Sequence, residues 1–194
     1  MGDLATMKKT IFEKITIVGV GLIGGSLGLA IQKRKLAKFM MGVVRRKSTL
    51  SAMFACKAVQ GVTLSLEEDV RGADPVILCA PVSTILEQIR TLQPLLSKNT
   101  IVIDVASSKT LIDNAARNYL KGARFVGCHP MAGGTQTGVG HADVDLFEGA
   151  GCFMTNADDT VKKFWNKLGA SVQYLTPKQH DAWVARAICK TLSC

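Results

Sequence analysis

Ile15-Thr16-Ile17-Val18-Gly19-Val20-Gly21-Leu22-Ile23-Gly24-Gly25-Ser26-Leu27 is the stretch on which the reading of the fold turns. Its first four residues are β-branched and read as a short buried strand, the glycines as a tight turn, and the uncharged run continuing to Gln32 as a helix. Gly19, Gly21 and Gly24 form the pattern G-x-G-x-x-G directly between strand and helix. In that setting the first glycine permits the turn, the second lets backbone approach a pyrophosphate, and the third lets helix and strand pack closely, with the helix N-terminus facing the anion. A dinucleotide loop is therefore expected over Gly19, Gly21, Leu22, Ile23 and Gly24; the plain alternative is a glycine-rich turn of any α/β protein. The same stretch, preceded by Lys8, Lys9 and Lys14, superficially imitates a signal peptide. Five glycines (Gly19, Gly21, Gly24, Gly25, Gly28) are the wrong composition for a spanning or signal helix, so a soluble cytoplasmic chain without a membrane partner is expected.

Outward from this turn, apolar β-branched runs alternate with helical patterns. Strands are expected at residues 14–18, 39–44, 75–79, 100–105, 124–128, 152–155 and 171–174. Ser65 with Glu68 and Thr84 with Glu87 have the capping-box spacing, and Thr176-Pro177 followed by Gln179 marks a third helix start. Repeated strand–helix–strand alternation implies a doubly wound, mostly parallel α/β sheet of Rossmann type. The 194 residues are 47% hydrophobic and 20% charged, enough for one full domain with a small appendage and against intrinsic disorder. A net charge of +9 favours an anionic partner. Six cysteines form no C-x-x-C pair, and three lie in apolar runs, so reduced, mostly buried thiols are expected and no metal site.

An acid that binds the ribose of NAD should lie about 20 residues beyond the glycine loop. No Asp or Glu occurs between Thr16 and Gln60; the second strand ends instead in Val44-Arg45-Arg46-Lys47-Ser48-Thr49. Cations and hydroxyls there suit the 2′-phosphate of NADP, which is preferred over NAD, with Arg45, Arg46 and Ser48 as ligands. The alternative reading of this run is a solvated turn and helix cap.

Three further segments lie just beyond expected strand ends, where open α/β sheets bind ligands: Leu78-Cys79-Ala80-Pro81-Val82, Asp104-Val105-Ala106-Ser107-Ser108-Lys109, and Val126-Gly127-Cys128-His129-Pro130-Met131-Ala132-Gly133. Cys79, Ala80 and Pro81 are assigned to the cofactor. Together with the glycine loop, the ordered set resembles the prephenate/arogenate dehydrogenase family of tyrosine biosynthesis over residues 12 to 185. The resemblance implies NADP-linked oxidative decarboxylation of a small cyclohexadienyl acid, arogenate or prephenate. It implies that His129 is the catalytic histidine that takes a hydrogen bond or proton from the ring hydroxyl, that Ser107 helps orient it, and that Lys109 is nearby at the start of the next helix. Bland alternatives are a helix cap for the serines and a structural role for the histidine. His141 and His180 receive no role, surface pairing with Asp181 being the default for the latter. The strand end without an acid, Ala106 and His-Pro-Met-Ala-Gly look more like arogenate-using members; some prephenate-using members carry a glutamate where this chain has Thr135.

Family members continue into a helical dimerisation domain with a Ser-His-Leu-Pro segment soon after the equivalent of His180-Asp181. This chain instead reads Arg186-Ala187-Ile188-Cys189-Lys190-Thr191-Leu192-Ser193-Cys194. A dinucleotide-binding domain over 1–175 and the truncated start of a helical domain over 176–194 are the corresponding expectations. So are weak turnover by this chain alone, and self-association through a last helix whose Trp183, Ala187 and Ile188 have no partner within the chain; full-length members are expected to be homodimers. Competing readings are another Rossmann-fold reductase of imines or hydroxyacids, and a non-catalytic NADP-binding module. Nucleic acid is not an expected partner, because aromatics are only 6% and none is interleaved with Arg45-Arg46-Lys47.

Overall fold

The computed structural model describes residues 10–192, with backbone alone at 53, 54 and 188–192. Lys8, Lys9, Cys194 and the side chains of Ile188 and Cys189 therefore lie outside the described residues.

Strand β1 (Phe12–Val18) leads through the glycine turn into α1 (Leu22–Arg34) and returns to β2 (Ala37–Val43). Then follow α2 (Leu50–Cys56), β3 (Gly61–Thr63), α3 (Leu66–Val70), β4 (Val76–Leu78), α4 (Val82–Leu92), β5 (Ile101–Asp104) and α5 (Thr110–Tyr119). The chain continues through β6 (Arg124–Pro130), β7 (Gly151–Met154), α6 (Asp159–Lys167), β8 (Ser171–Tyr174) and α7 (Pro177–Leu192). The strands form one sheet in the order β3-β2-β1-β4-β5-β6-β7-β8. All pairs are parallel except β6 with β7, where His129 faces Phe153 in antiparallel register. The first six strands have the doubly wound order, whose direction of winding reverses between β1 and β4.

Alternation along each strand separates two cores. In β4, Val76 and Leu78 join Ile85 and Ile89 of α4 and Ile112 of α5, while Ile77 between them joins Leu27 and Ile31 of α1 on the other face. All eight are fully shielded, each contributing about 1.5–3 kcal/mol of hydrophobic stabilisation. Helix α6 adds Phe164 and Trp165 to the α1 side, its start capped by Asp158, which accepts from the N–H groups of Thr160 and Val161. Buried Thr16 in the central strand is satisfied by donating to Asp69 O at 2.7 Å.

Of the expected helix starts, Ser65 accepts from Glu68 N at 3.3 Å, and Thr176 and Gln179 bond each other reciprocally. The Thr84–Glu87 box is not a cap. Pro81 ends the preceding segment, and the first helical bond already runs from Ile85 N to Pro81 O, so α4 starts at Val82 and Thr84 falls inside it. Among the described residues, no helix is long and apolar enough to cross a membrane.

Candidate active site

The carboxyl ends of β1, β2 and β4 open into a cleft of ≈ 810 Å³, within the usual range for small-molecule sites. Its floor is the glycine turn. Gly19 has φ +95°, and a Cβ on it would lie 2.5 Å from Cys79 O, so only glycine fits. A Cβ on Gly24 would meet the Gly19 carbonyl oxygen well inside contact distance and Ile17 Cγ2 at 3.2 Å. Gly21 is different in kind: a Cβ there would touch nothing within 4 Å. The protein leaves that space open at the N-terminus of α1, where a pyrophosphate would approach, and the donor set of bare backbone N–H groups is of the type such an anion needs.

Gly19, Gly21, Cys79, Ala80 and Pro81 line the cleft, as do Arg45 and Arg46 at the end of β2. Both arginines are exposed, and among the described residues neither enters an ion pair. Leu22, Ile23 and Gly24 are set behind the turn, and Thr49 rather than Ser48 reaches the lining. Thr84, Glu87, Gln88 and Thr91 of α4 form one wall; Thr137, Gly138 and Val139, from the loop after β6, form another. Burial, aided by the nearby Asp104 carboxylate, pushes the Cys79 thiol strongly up, so it is an inert wall.

His129 does not line this cleft. It lies near the carboxyl end of β6, farther along the same edge of the sheet. Its Nδ1 is 2.9 Å from Nε2 of His180, whose Nδ1 is in turn 2.9 Å from Asp181 Oδ1. His180 is completely buried, with edge-on contacts to His129 and Phe153, which corrects the expectation of a surface residue. Asp181 is no surface partner either: it accepts from Lys109 N at 2.8 Å and Thr110 N at 2.9 Å, capping α5 from a different helix. Burial alone would raise its carboxyl, but hydrogen bonds from Thr110, His180 and Lys109 hold it down at about 2. Burial, reinforced by His180 and the Lys109 ammonium and opposed by Asp181, pushes His129 down to about 4, so its imidazole is neutral at pH 7.

Lys109 is at the start of α5, as expected, but its Nζ is buried in an ion pair with Asp104 rather than open to the cleft. Burial raises the Asp104 carboxyl; Lys109 and the Ala106 N–H, which donates to Oδ1 at 3.0 Å, oppose it. Gly127 makes room for this pair, since a Cβ would lie 3.1 Å from Asp104 Oδ2 and 3.2 Å from Lys109 Cδ. Ser107 is exposed on the loop between β5 and α5. Among the described residues the His129 ring shares a hydrogen bond with His180 and none with Ser107, and neither Ser107 nor Ser108 caps α5. Trp183, expected to be without a partner in the chain, lies edge-on to Phe153 with ring centroids 4.9 Å apart. His141 is exposed in a short turn.

Sequence reasoning missed His180 and Asp181. A signal was present: His180, Val184 and Ala187 recur at helical spacing on the inward side of α7, so the histidine occupies a core position.

Residues 27–174 match the family described as prephenate dehydrogenase, nucleotide-binding domain. A prephenate dehydrogenase of Lactococcus lactis subsp. cremoris is 33% identical over 175 residues, which are 87% of this chain and 48% of that protein. The chain thus spans about half the length of the curated relatives it matches. The crystal structure of Synechocystis arogenate dehydrogenase superposes with a TM-score of 0.80 at 34% identity, covering 89% of this chain and 63% of that one. That of prephenate dehydrogenase from A. aeolicus, in complex with hydroxyphenyl propionate and NAD+, gives 0.80 at 28% identity, covering 93% and 69%. With three-quarters of its length inside the family's nucleotide-binding domain and the doubly wound sheet to match, the chain belongs to the prephenate dehydrogenase family.

Proposed function

We propose that the cleft binds NADP and that the chain carries the cofactor half of an arogenate dehydrogenase, with His129 as the proton acceptor. The observation that supports this most is a neutral imidazole, tied at one nitrogen, on the same strand-end edge as an anion-binding turn. A bound nicotinamide would accept the hydride from the ring carbon bearing the hydroxyl, and loss of carbon dioxide would leave the ring aromatic. His129 takes the hydroxyl proton as the carbon–oxygen bond gains carbonyl character; a base that is neutral at working pH is needed for this. Backbone N–H groups at Gly21 and the start of α1 hold the pyrophosphate. Arg45 and Arg46, exposed on the cleft rim with no acid between Thr16 and Gln60, hold the 2′-phosphate. Ser107 faces solvent at the loop between β5 and α5, available to a substrate hydroxyl. Lys109 contributes through Asp104 and the start of α5 rather than by touching substrate.

Arogenate is preferred to prephenate on sequence resemblance: the Gly42-Val43-Val44-Arg45 strand end without an acid, Ala106 in Asp-Val-Ala-Ser, His-Pro-Met-Ala-Gly, and Thr135 in place of a glutamate. The same reading assigns residues 1–175 to the dinucleotide-binding unit and starts a helical unit at 176. A second reading, a dinucleotide-binding module without turnover, is favoured by His129 standing outside the lining of the cleft. One experiment separates them. Fluorescence titration with NADP and with NAD, followed by addition of arogenate or prephenate to the saturated chain, reads cofactor choice and then reduction. Tighter NADP binding and slow reduction on adding arogenate is the expected result; binding without reduction supports the module, and no binding of either dinucleotide refutes both.

A further inference from the structure

Asp181 carries the least ambiguous charge in the chain of contacts that ends at His129. A carboxylate only accepts hydrogen bonds, and this one already accepts two backbone N–H groups of α5. The His180 nitrogen 2.9 Å from Asp181 Oδ1 must therefore carry a proton, which makes Nδ1 of His180 the donor. With Nδ1 donating to Asp181, the lone pair of the His180 imidazole lies on Nε2, and the nitrogen 2.9 Å from it, Nδ1 of His129, is a donor in its turn. His180 is fully buried, edge-on to the rings of His129 and Phe153, so these two nitrogens have no solvent partner to turn to.

We propose that His180 and Asp181 are a positioning pair that fixes His129 as its Nδ1–H tautomer, so that Nε2 is the lone pair offered to a substrate hydroxyl. The inference rests on the reading of His129 as the proton acceptor and adds what makes it competent. When Nε2 takes up a proton, the positive ring donates to His180, which donates to Asp181. The logic is that of an orienting acid behind a base, lengthened by one imidazole. Because Asp181 also caps α5, docking of α7 and orientation of the base are one event. Helix α7 is outside the sheet, yet it determines which nitrogen of a sheet residue can react.

The test uses the whole chain, ¹⁵N-labelled and without ligand, in long-range ¹H–¹⁵N NMR of the imidazoles near pH 7. The chain has three histidines, and exposed His141 supplies the unconstrained reference. His129 and His180 are expected to show a protonated Nδ1 and a bare Nε2, assigned with His141→Gln. His180→Phe, which suits the aromatic surroundings, removes the acceptor and should return His129 to the Nε2–H form. If turnover is present, it should lower kcat roughly 100-fold or more while KM changes by about two-fold or less, the signature of lost chemistry with intact binding. A wild-type His129 protonated on Nε2, or a tautomer unchanged in His180→Phe, overturns the proposal; if the variant does not fold, the wild-type spectrum decides by itself. The spectrum needs no substrate, so the predicted tautomer in a chain that reduces no cofactor refutes the dehydrogenase reading alone.

Discussion

Alanine at Gly21 and alanine at Gly24 should have opposite consequences, although both residues belong to one motif. The Cβ of Gly21→Ala would project into open space, with no protein atom within 4 Å, from a backbone whose φ of −94° any residue adopts. Its effect on folding should therefore be small, within about 0.5 kcal/mol. That open space is where a pyrophosphate would approach backbone, and displacing the ligand weakens charge-assisted hydrogen bonds worth about 1.5–3 kcal/mol each, or roughly 10- to 150-fold in Kd. Gly24→Ala meets the Gly19 carbonyl and Ile17 Cγ2, both parts of the buried strand and turn. Neither is a flexible side-chain end, so backbone must shift, at about 1–3 kcal/mol or more. In a chain of this size that lowers Tm by roughly 2–12 °C. Thermal melts without ligand and fluorescence titrations with NADP, run on both variants, read the two effects separately. Wild-type affinity in Gly21→Ala would refute the assignment of the cleft to a dinucleotide; a loss of Tm in Gly21→Ala as large as in Gly24→Ala would refute the claim that the protein leaves this space open for a ligand.

Replacing Arg45 and Arg46 together by Ala should weaken NADP by roughly 10-fold or more and NAD by much less, since charge-assisted contacts to the 2′-phosphate are lost only for NADP; equal losses would make the pair mere surface charge. Lys109→Met leaves Asp104 buried without its cation and should cost about 3–5 kcal/mol, whereas Lys109→Met with Asp104→Leu should recover most of it in urea unfolding. The folded pKa of His129, about 4, is below its ordinary 6.5, so the unfolded chain binds the extra proton between those values. Stability from this residue is thus full above about pH 6.5 and is lost as pH falls towards 4, by about 1–2 kcal/mol after discounting for the ring's partial exposure. Melts from pH 7 to pH 4 should show a shallower decline for His129→Asn than for wild type, and parallel curves would contradict the assignment.

Much of the fold was legible because parallel strands buried on both faces read as short apolar runs, and helices between them carry their own start signals. β3 was missed for a physical reason: its three residues are half-buried at the sheet edge, too short and too mixed to stand out. The Thr84–Glu87 box failed because spacing does not say which of several polar residues near a proline begins the helix. In the candidate site the glycine loop, the Arg45-Arg46 rim and His129 were visible as motifs at strand ends. His180 and Asp181 were not, because their roles depend on α7 folding back against α5, a contact between positions about 70 residues apart that no local pattern encodes. Trp183 was misread for the same reason, its partner Phe153 being on β7.

Cleft and histidine share an edge because β1, β4, β5 and β6 all run parallel, and the reversal at β7 decides what joins them there. A parallel successor to β6 would require a crossover over one face of the sheet, usually made by a helix. Because β7 runs antiparallel, residues 131–150 need no crossover and turn back over the start of α1 instead. Asp143 N donates to the buried Ser26 hydroxyl at 2.9 Å, and Val139 packs so closely that a Cβ on Gly25 would be 2.9 Å from its Cγ2. Gly25, outside the phosphate motif, is thus required by this loop rather than by a ligand. The loop begins at Met131, two residues beyond His129, and its Thr137-Gly138-Val139 segment forms a wall of the cleft. Val139 and Phe147 within it belong to the core on the α1 side, so the path of the loop from the end of β6 to the glycine turn is fixed by the same packing that stabilises the sheet.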